Sequence, residues 1–198
     1  MNTQYGKLTR DDLFNLERYA ETRADFRAQV MAHKKHRQVH LGDMATLYFE
    51  DRLTMQYQIQ EMLRVERIFE SAGIQEELDA YNPLIPDGSN WKATFMIEVP
   101  DEDERRKVLA RLIGIEDKVW VRVEGFEPVF AIADEDLERD TAEKTSSVHF
   151  LRFELTPEMV AAVKGGVAIA AGIAHEACTT QLDPLPAGVR DSLAADLA

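Results

Sequence analysis

The 198-residue chain is 45% apolar and 30% charged, with a formal net charge of −13 and a pI near 4.8, a composition typical of a globular protein that folds alone. That charge argues against nucleic acid as a partner, since neutralising phosphates requires a basic face, and equally against an anionic membrane surface. No apolar run approaches the roughly 20 residues of a membrane span, the N-terminus lacks a secretory core, and a lone Cys178 fits a reducing compartment, so a cytoplasmic location is expected.

Thr9 with Asp12 three residues on predicts an N-cap opening a helix that carries Leu13, Leu16, Ala20, Phe26 and Val30. That helix runs into "HKKHRQVHLGD", which holds three of the five histidines. Val39 and Leu41, then Gly42-Asp43, then Leu47 and Phe49 alternate around a turn signal and predict a hairpin. Thr54 is the expected cap of a second helix, "MQYQIQEMLRVERIFESA", ending at Gly73, and "ELDAYNPLIPDGSN" reads as a turn-rich connector. From Trp91 onward "WKATFMIEV", "KVWVRVEG", "EPVFAIA", "SSVHFLRFEL" and "GVAIAAGIA" predict strands. Short helices fit at "DEDERRKVLARLIG", "TPEMVAAVK" and "AGVRDSLAADL", and the acidic "DEDLERDTAEK" reads as a solvated segment. The class is α+β: a helical N-terminal unit over 1–80 packs on a mainly antiparallel, sheet-rich unit over 91–198, all in one domain.

Polar residues at apolar positions are the candidates for chemistry. On a helical wheel Glu66 falls at the centre of the face formed by Met55, Ile59, Met62, Leu63, Val65 and Phe69, where a carboxylate needs a partner, a metal or a proton. Strand alternation places His149 with Leu151, Phe153 and Leu155 on an apolar face that is expected to meet the helical unit, and His175 continues an apolar parity. A core histidine held by a hydrogen bond and a glutamate paired with Arg64 or Arg152 would explain these positions without any ligand. The functional alternative joins His33, His40, Glu66 and His149 in a mixed nitrogen and oxygen site for a divalent metal such as iron or zinc. No "HExxH" or cysteine cluster fixes the metal. Lys34 and Arg37 form a local positive cluster suited to an anionic small ligand, although cations at a helix C-terminus also complement its dipole unaided.

Taken together, "HKKHRQVHLGD", "FEDRLTMQYQIQEMLRVERIFE", "ELDAYNPLIP", "KATFMIE" and "KTSSVHFLRFEL" resemble an uncharacterised bacterial family of unknown function that runs nearly the whole length of this chain. The resemblance implies genes neighbouring those of rubrerythrin-like and iron–sulfur oxidoreductases, a cytoplasmic redox or oxidative-stress pathway, and an oxidoreductase as partner. It supplies no catalytic residue. The function expected is a metal- or small-ligand-binding component of such a pathway, and the alternative is a non-catalytic adaptor or homo-oligomer whose buried polar residues form a structural network.

Overall fold

The structure, a computed structural model, describes residues 5–198. It is α+β, with six α-helices and two antiparallel sheets among the described residues. The Thr9–Asp12 reciprocal cap closes only a short 3-10 turn, Arg10–Asp12, and helix α1, Leu16–Lys34, starts afresh where Asn15 accepts from the Arg18 amide. Tyr19, Phe26 and Val30 share one face of α1 and pack with Tyr57 of α2, Arg52–Val65. The cap of α2 is Asp51, whose carboxylate accepts from the Thr54 amide while the Thr54 hydroxyl accepts from the Asp51 amide. Thr54 is therefore the third helical residue of a capping box, not the cap.

Helix α2 also stops earlier than its apolar periodicity suggests. Glu66 is its C-cap, Arg67 turns the chain with a φ of 57°, and a separate α3, Ser71–Tyr81, follows with Gly73 inside it. The wheel does not extend past Val65, so Glu66 lies exposed beside Val65 and Phe69, which are 58% and 62% exposed. Expecting Glu66 to be buried was wrong for that reason. Part of the segment read as a connector is the end of α3, which anchors through Leu78 in a cluster with Met55, Ile59 and Leu63.

Strands β1 (Gln38–Leu41) and β2 (Ala45–Glu50) form the expected hairpin around Gly42, and β2 pairs with β3 (Asn90–Ile97). After α4 (Glu102–Arg111) come β4 (Val119–Val123), the two-residue strands β5 (Val129–Phe130) and β6 (Ile132–Ala133), and β7 (Val148–Glu154). Helix α5 (Pro157–Lys164), β8 (Ile169–His175), β9 (Cys178–Leu182) and α6 (Ala187–Ala195) complete the chain. One sheet has the order β1-β2-β3-β7-β6 and the other β5-β4-β8-β9. Strand β9, "CTTQL", escaped sequence reading because its alternation is between partly and fully exposed residues, with no apolar face to show.

The two sheets close on each other. Val129–Phe130 pair with β4 and Ile132–Ala133 with β7, so one short run of chain passes from sheet to sheet, while β1 lies against β8 and β9 at the other side. Inward residues such as Leu47, Phe49, Trp91, Phe95, Leu151 and Phe153 meet Val121, Val123, Ile169 and Ile173 in a single core. Helices α4, α5 and α6 seal it with Leu109, Val163 and Leu193. Among the described residues no helix is long and apolar enough to cross a membrane.

Arg37 ties the pieces together. Only 2% exposed, it donates from Nε to Phe49 O and from Nη2 to Glu50 O, and grips both oxygens of Asp196, beyond α6, at 2.6 and 3.2 Å. Burial pushes Asp196 up to about 6 even against the pull of this guanidinium. Asp51 shows the reverse balance: burial raises it, but His33, Arg37 and the Thr54 amide outweigh that and hold it below the usual carboxylate range. Replacing Arg37 by Met removes one partner of a buried ion pair and is expected to cost about 3–5 kcal/mol in urea unfolding. A loss under about 1 kcal/mol would mean that the pair is dispensable.

Candidate metal centre

His149 is inward by strand parity, since β7 alternates inward His149, Leu151 and Phe153 with outward Phe150 and Arg152. It sits opposite Phe95 in the β3–β7 register, with its ring 6.3 Å from that of Phe95, and it is 0% exposed. The face it shares looks towards the second sheet. The turn around Pro83 and Leu84 after α3 lies on the opposite face of β7, with Phe150 and Arg152, so His149 does not face the helical unit as expected.

A buried imidazole needs partners for both nitrogens, and the chain supplies them from the irregular excursion between β6 and β7. Asp134 opens it in a left-handed conformation, φ 49°, with its amide bonded to Phe150 O and its Oδ1 accepting from the Phe150 amide. This clamp brings Asp134 Oδ2 to 2.6 Å from His149 Nδ1. Arg139 steadies the carboxylate at 3.0 Å while its guanidinium lies 4.7 Å over the Phe150 ring. With Nδ1 committed to a carboxylate, Nε2 points at Thr145 Oγ1, 2.9 Å away, and Ser146 O, 3.1 Å away.

Two more carboxylates complete the cluster. Asp140 accepts from the Thr145 hydroxyl through Oδ1 and from the Gly114 amide through Oδ2 at 2.9 Å. Glu116, in the 3-10 turn Glu116–Lys118 before β4, has Oε2 3.9 Å from His149 Nε2. That oxygen is buried and has no hydrogen-bond partner among the described residues. Burial pushes the Glu116 carboxyl above its ordinary range, its own backbone amide and then His149 oppose the rise, and Asp140 and Asp117 add to it. One donor atom each from Glu116, Asp140 and His149 lie within 4.8 Å of one another. Donors bound at 2.0–2.2 Å to one ion sit roughly 3 to 4 Å apart, so small side-chain adjustments would close this triad on a cation.

The structure does not bring the other candidates to His149. His33 meets Asp51 at 2.5 Å, and His40 is exposed with Nδ1 3.1 Å from Thr46 Oγ1, itself bonded to Glu98. Glu66 is on the surface at the end of α2. His36 packs its ring over Gly188, where a Cβ would come within 2.6 Å of Nδ1, and His175 bonds to Ile113 O and the Ala177 amide. The anion that Arg37 meets is Asp196, and Lys34 is half-buried in the last turn of α1. Cys178 is half-buried with its thiol pushed up by burial, away from thiolate character.

Glu116, Asp134 and Asp140 were missed by sequence reading. The acidic stretch preceding β7 looked solvated because most of it is: residues 135–138 and 141–144 are exposed. The signal that was available is adjacency, an inward histidine directly following a loop rich in carboxylates.

A family model for a protein of unknown function, DUF3501, matches residues 7–197. A crystal structure of a protein of unknown function from Burkholderia pseudomallei K96243 is similar with a TM-score of 0.92 and 55% identity, over 97% of this chain and 100% of that one. No curated protein matches. Both relatives are described only as of unknown function, so the redox gene association implied by the resemblance has no support from them.

Replacing Asp134 by Ala leaves buried His149 Nδ1 and the Phe150 amide without partners. The expected cost is about 1–3 kcal/mol in urea unfolding, with Asn recovering part of it. Equal stability of the wild type and the Ala variant would show that the clamp does not hold the ring.

Proposed function

The chain belongs to the DUF3501 family, and for this member we propose a divalent-metal-binding protein whose ligands are His149, Glu116 and Asp140. The observation that carries the reading is a buried Glu116 oxygen without a hydrogen-bond partner among the described residues, 3.9 Å from an imidazole whose other nitrogen is held by a carboxylate. Carboxylate-bound Nδ1 is the common outer-shell arrangement of metal-ligating histidines, because it fixes the ring and raises the basicity of Nε2. A cation at Nε2 would take the direction now used towards Thr145 and Ser146, and would give the Glu116 oxygen, which has no hydrogen bond among the described residues, a charge nearer than the imidazole 3.9 Å away.

One nitrogen and two carboxylates suit manganese, iron(II) or zinc better than a thiolate-seeking ion. Three protein ligands leave coordination positions for water or a substrate oxygen. The metal part of the expected function therefore moves to a new ligand set, in which only His149 of the original four takes part. A cytoplasmic setting and a redox pathway belong to this proposal as context, resting on composition and resemblance.

Calorimetric titration of untagged, chelator-stripped protein with Zn2+ and Mn2+ tests the reading. One equivalent should bind, Glu116→Gln and Asp140→Asn should each weaken binding by at least about 10-fold, and Asp134→Asn by about 10–100-fold. His33→Ala and His40→Ala should leave it unchanged. Absence of binding, or binding indifferent to Glu116 and Asp140, would hand the cluster to the alternative of a structural polar network.

A further inference from the structure

The excursion over 134–147 contributes no apolar side chain to the core. Its one leucine, Leu137, is 56% exposed, and its inward or half-buried groups are Asp134, Arg139, Asp140, Thr145 and the two serines that follow. Such a segment has little hydrophobic stabilisation and opens more readily than the strands it joins. What holds it is polar: Asp134 at its start and Thr145 near its end both bond the His149 ring, Glu135 pairs with Arg152 of β7, and near the end the Thr145 amide donates to Leu109 O and Ser147 O accepts from the Ile97 amide. Between them Asp140 reaches out of the excursion only to the Gly114 amide, and Thr141 and Lys144 close a local turn.

Electrostatics works against this arrangement. Residues 134–144 include six carboxylates against Arg139 and Lys144, and Glu116 adds a further carboxylate from the other side. Arg139 is spent on Asp134 and Asp136. Like charges gathered on a loop with few apolar contacts favour its opening, and a divalent cation bound among Glu116, Asp140 and His149 reverses the sign of that effect.

We propose that metal binding at this triad locks the 134–147 excursion onto the two sheets, so that occupancy of the site controls the opening of that segment. The inference rests on the metal reading and adds a consequence to it. Glu116 belongs to the turn leading into β4 of one sheet, His149 to β7 of the other, and Asp140 to the excursion itself. One ion would therefore join three parts of the chain that no apolar contact of the excursion connects. The open segment cannot keep Asp140 beside Glu116 and His149, so the metal binds the closed form and depletes the open one.

Hydrogen exchange of the full chain with and without Mn2+, read by mass spectrometry on peptides covering 134–147, tests this. With Mn2+ at 100 times its dissociation constant, exchange of amides in 140–146 should slow by about 100-fold, with peptides of α1 and α2 unchanged. Glu116→Gln, a substitution outside the excursion, should cut the slowing at the same Mn2+ concentration to about 10-fold or less, each protein being compared with its own metal-free exchange. If calorimetry shows Mn2+ bound yet exchange in 134–147 is unaltered, or slows equally across the protein, the lock is wrong and the metal site stands. If Glu116→Gln shows the full wild-type slowing, the lock is not made through this triad. If no Mn2+ or Zn2+ binds, the lock and the metal reading fall together.

Discussion

The 2.6 Å hydrogen bond between His149 Nδ1 and Asp134 Oδ2 links the register of a strand to a loop without regular structure. Strand parity puts the imidazole in the apolar space between two sheets, where an unpartnered nitrogen is costly. The chain meets that cost by turning Asp134 back through a left-handed conformation at the end of β6, so that its carboxylate serves both the ring and the Phe150 amide. Once Nδ1 is fixed, Nε2 can point in only one direction. That direction holds Thr145, Asp140 and a buried oxygen of Glu116 that has no hydrogen-bond partner among the described residues.

Arg37 offers a useful contrast, because it too is a buried polar group, drawn from the segment that looked most like a ligand site. Every direction in which its guanidinium points is filled by protein: two backbone carbonyls of β2, Ser192, Asp51 and the two oxygens of Asp196. A saturated network of this kind fastens α6 and the β2–α2 junction together and leaves no donor for a ligand. The cluster around His149 differs in one respect, a buried Glu116 oxygen without a hydrogen-bond partner among the described residues, and that difference is what supports the proposal of a cation there.

Much of the architecture was legible in the residues. The β1–β2 hairpin was visible in Val39, Leu41, Leu47 and Phe49, β7 in the inward alternation of His149, Leu151 and Phe153, and α5 in the Thr156 cap and Pro157. The break after Val65 was not, because apolar spacing continues through Phe69 while a left-handed Arg67, a conformation usually reserved for glycine, ends the helix. Of the residues expected to bind metal, His149 lies in the cluster, and its inward position was legible because strand parity is a short-range property. Its companions were not, since Glu116, Asp134 and Asp140 come from a turn and a loop, and their convergence depends on how the two sheets close. A charge run looks solvated in sequence even when one or two of its carboxylates turn inward.

Zinc-edge X-ray absorption on the protein loaded with one equivalent of Zn2+ reports the donor atoms themselves and so decides whether the His149 cluster holds the ion. Binding at His149, Glu116 and Asp140 should give nitrogen and oxygen donors at about 2.0–2.2 Å, outer-shell scattering from a single imidazole, and no sulfur. Scattering from two or more imidazoles, or a sulfur donor at about 2.3 Å, would contradict it, placing the ion at the His33–His40 segment or at Cys178 instead of at His149, Glu116 and Asp140.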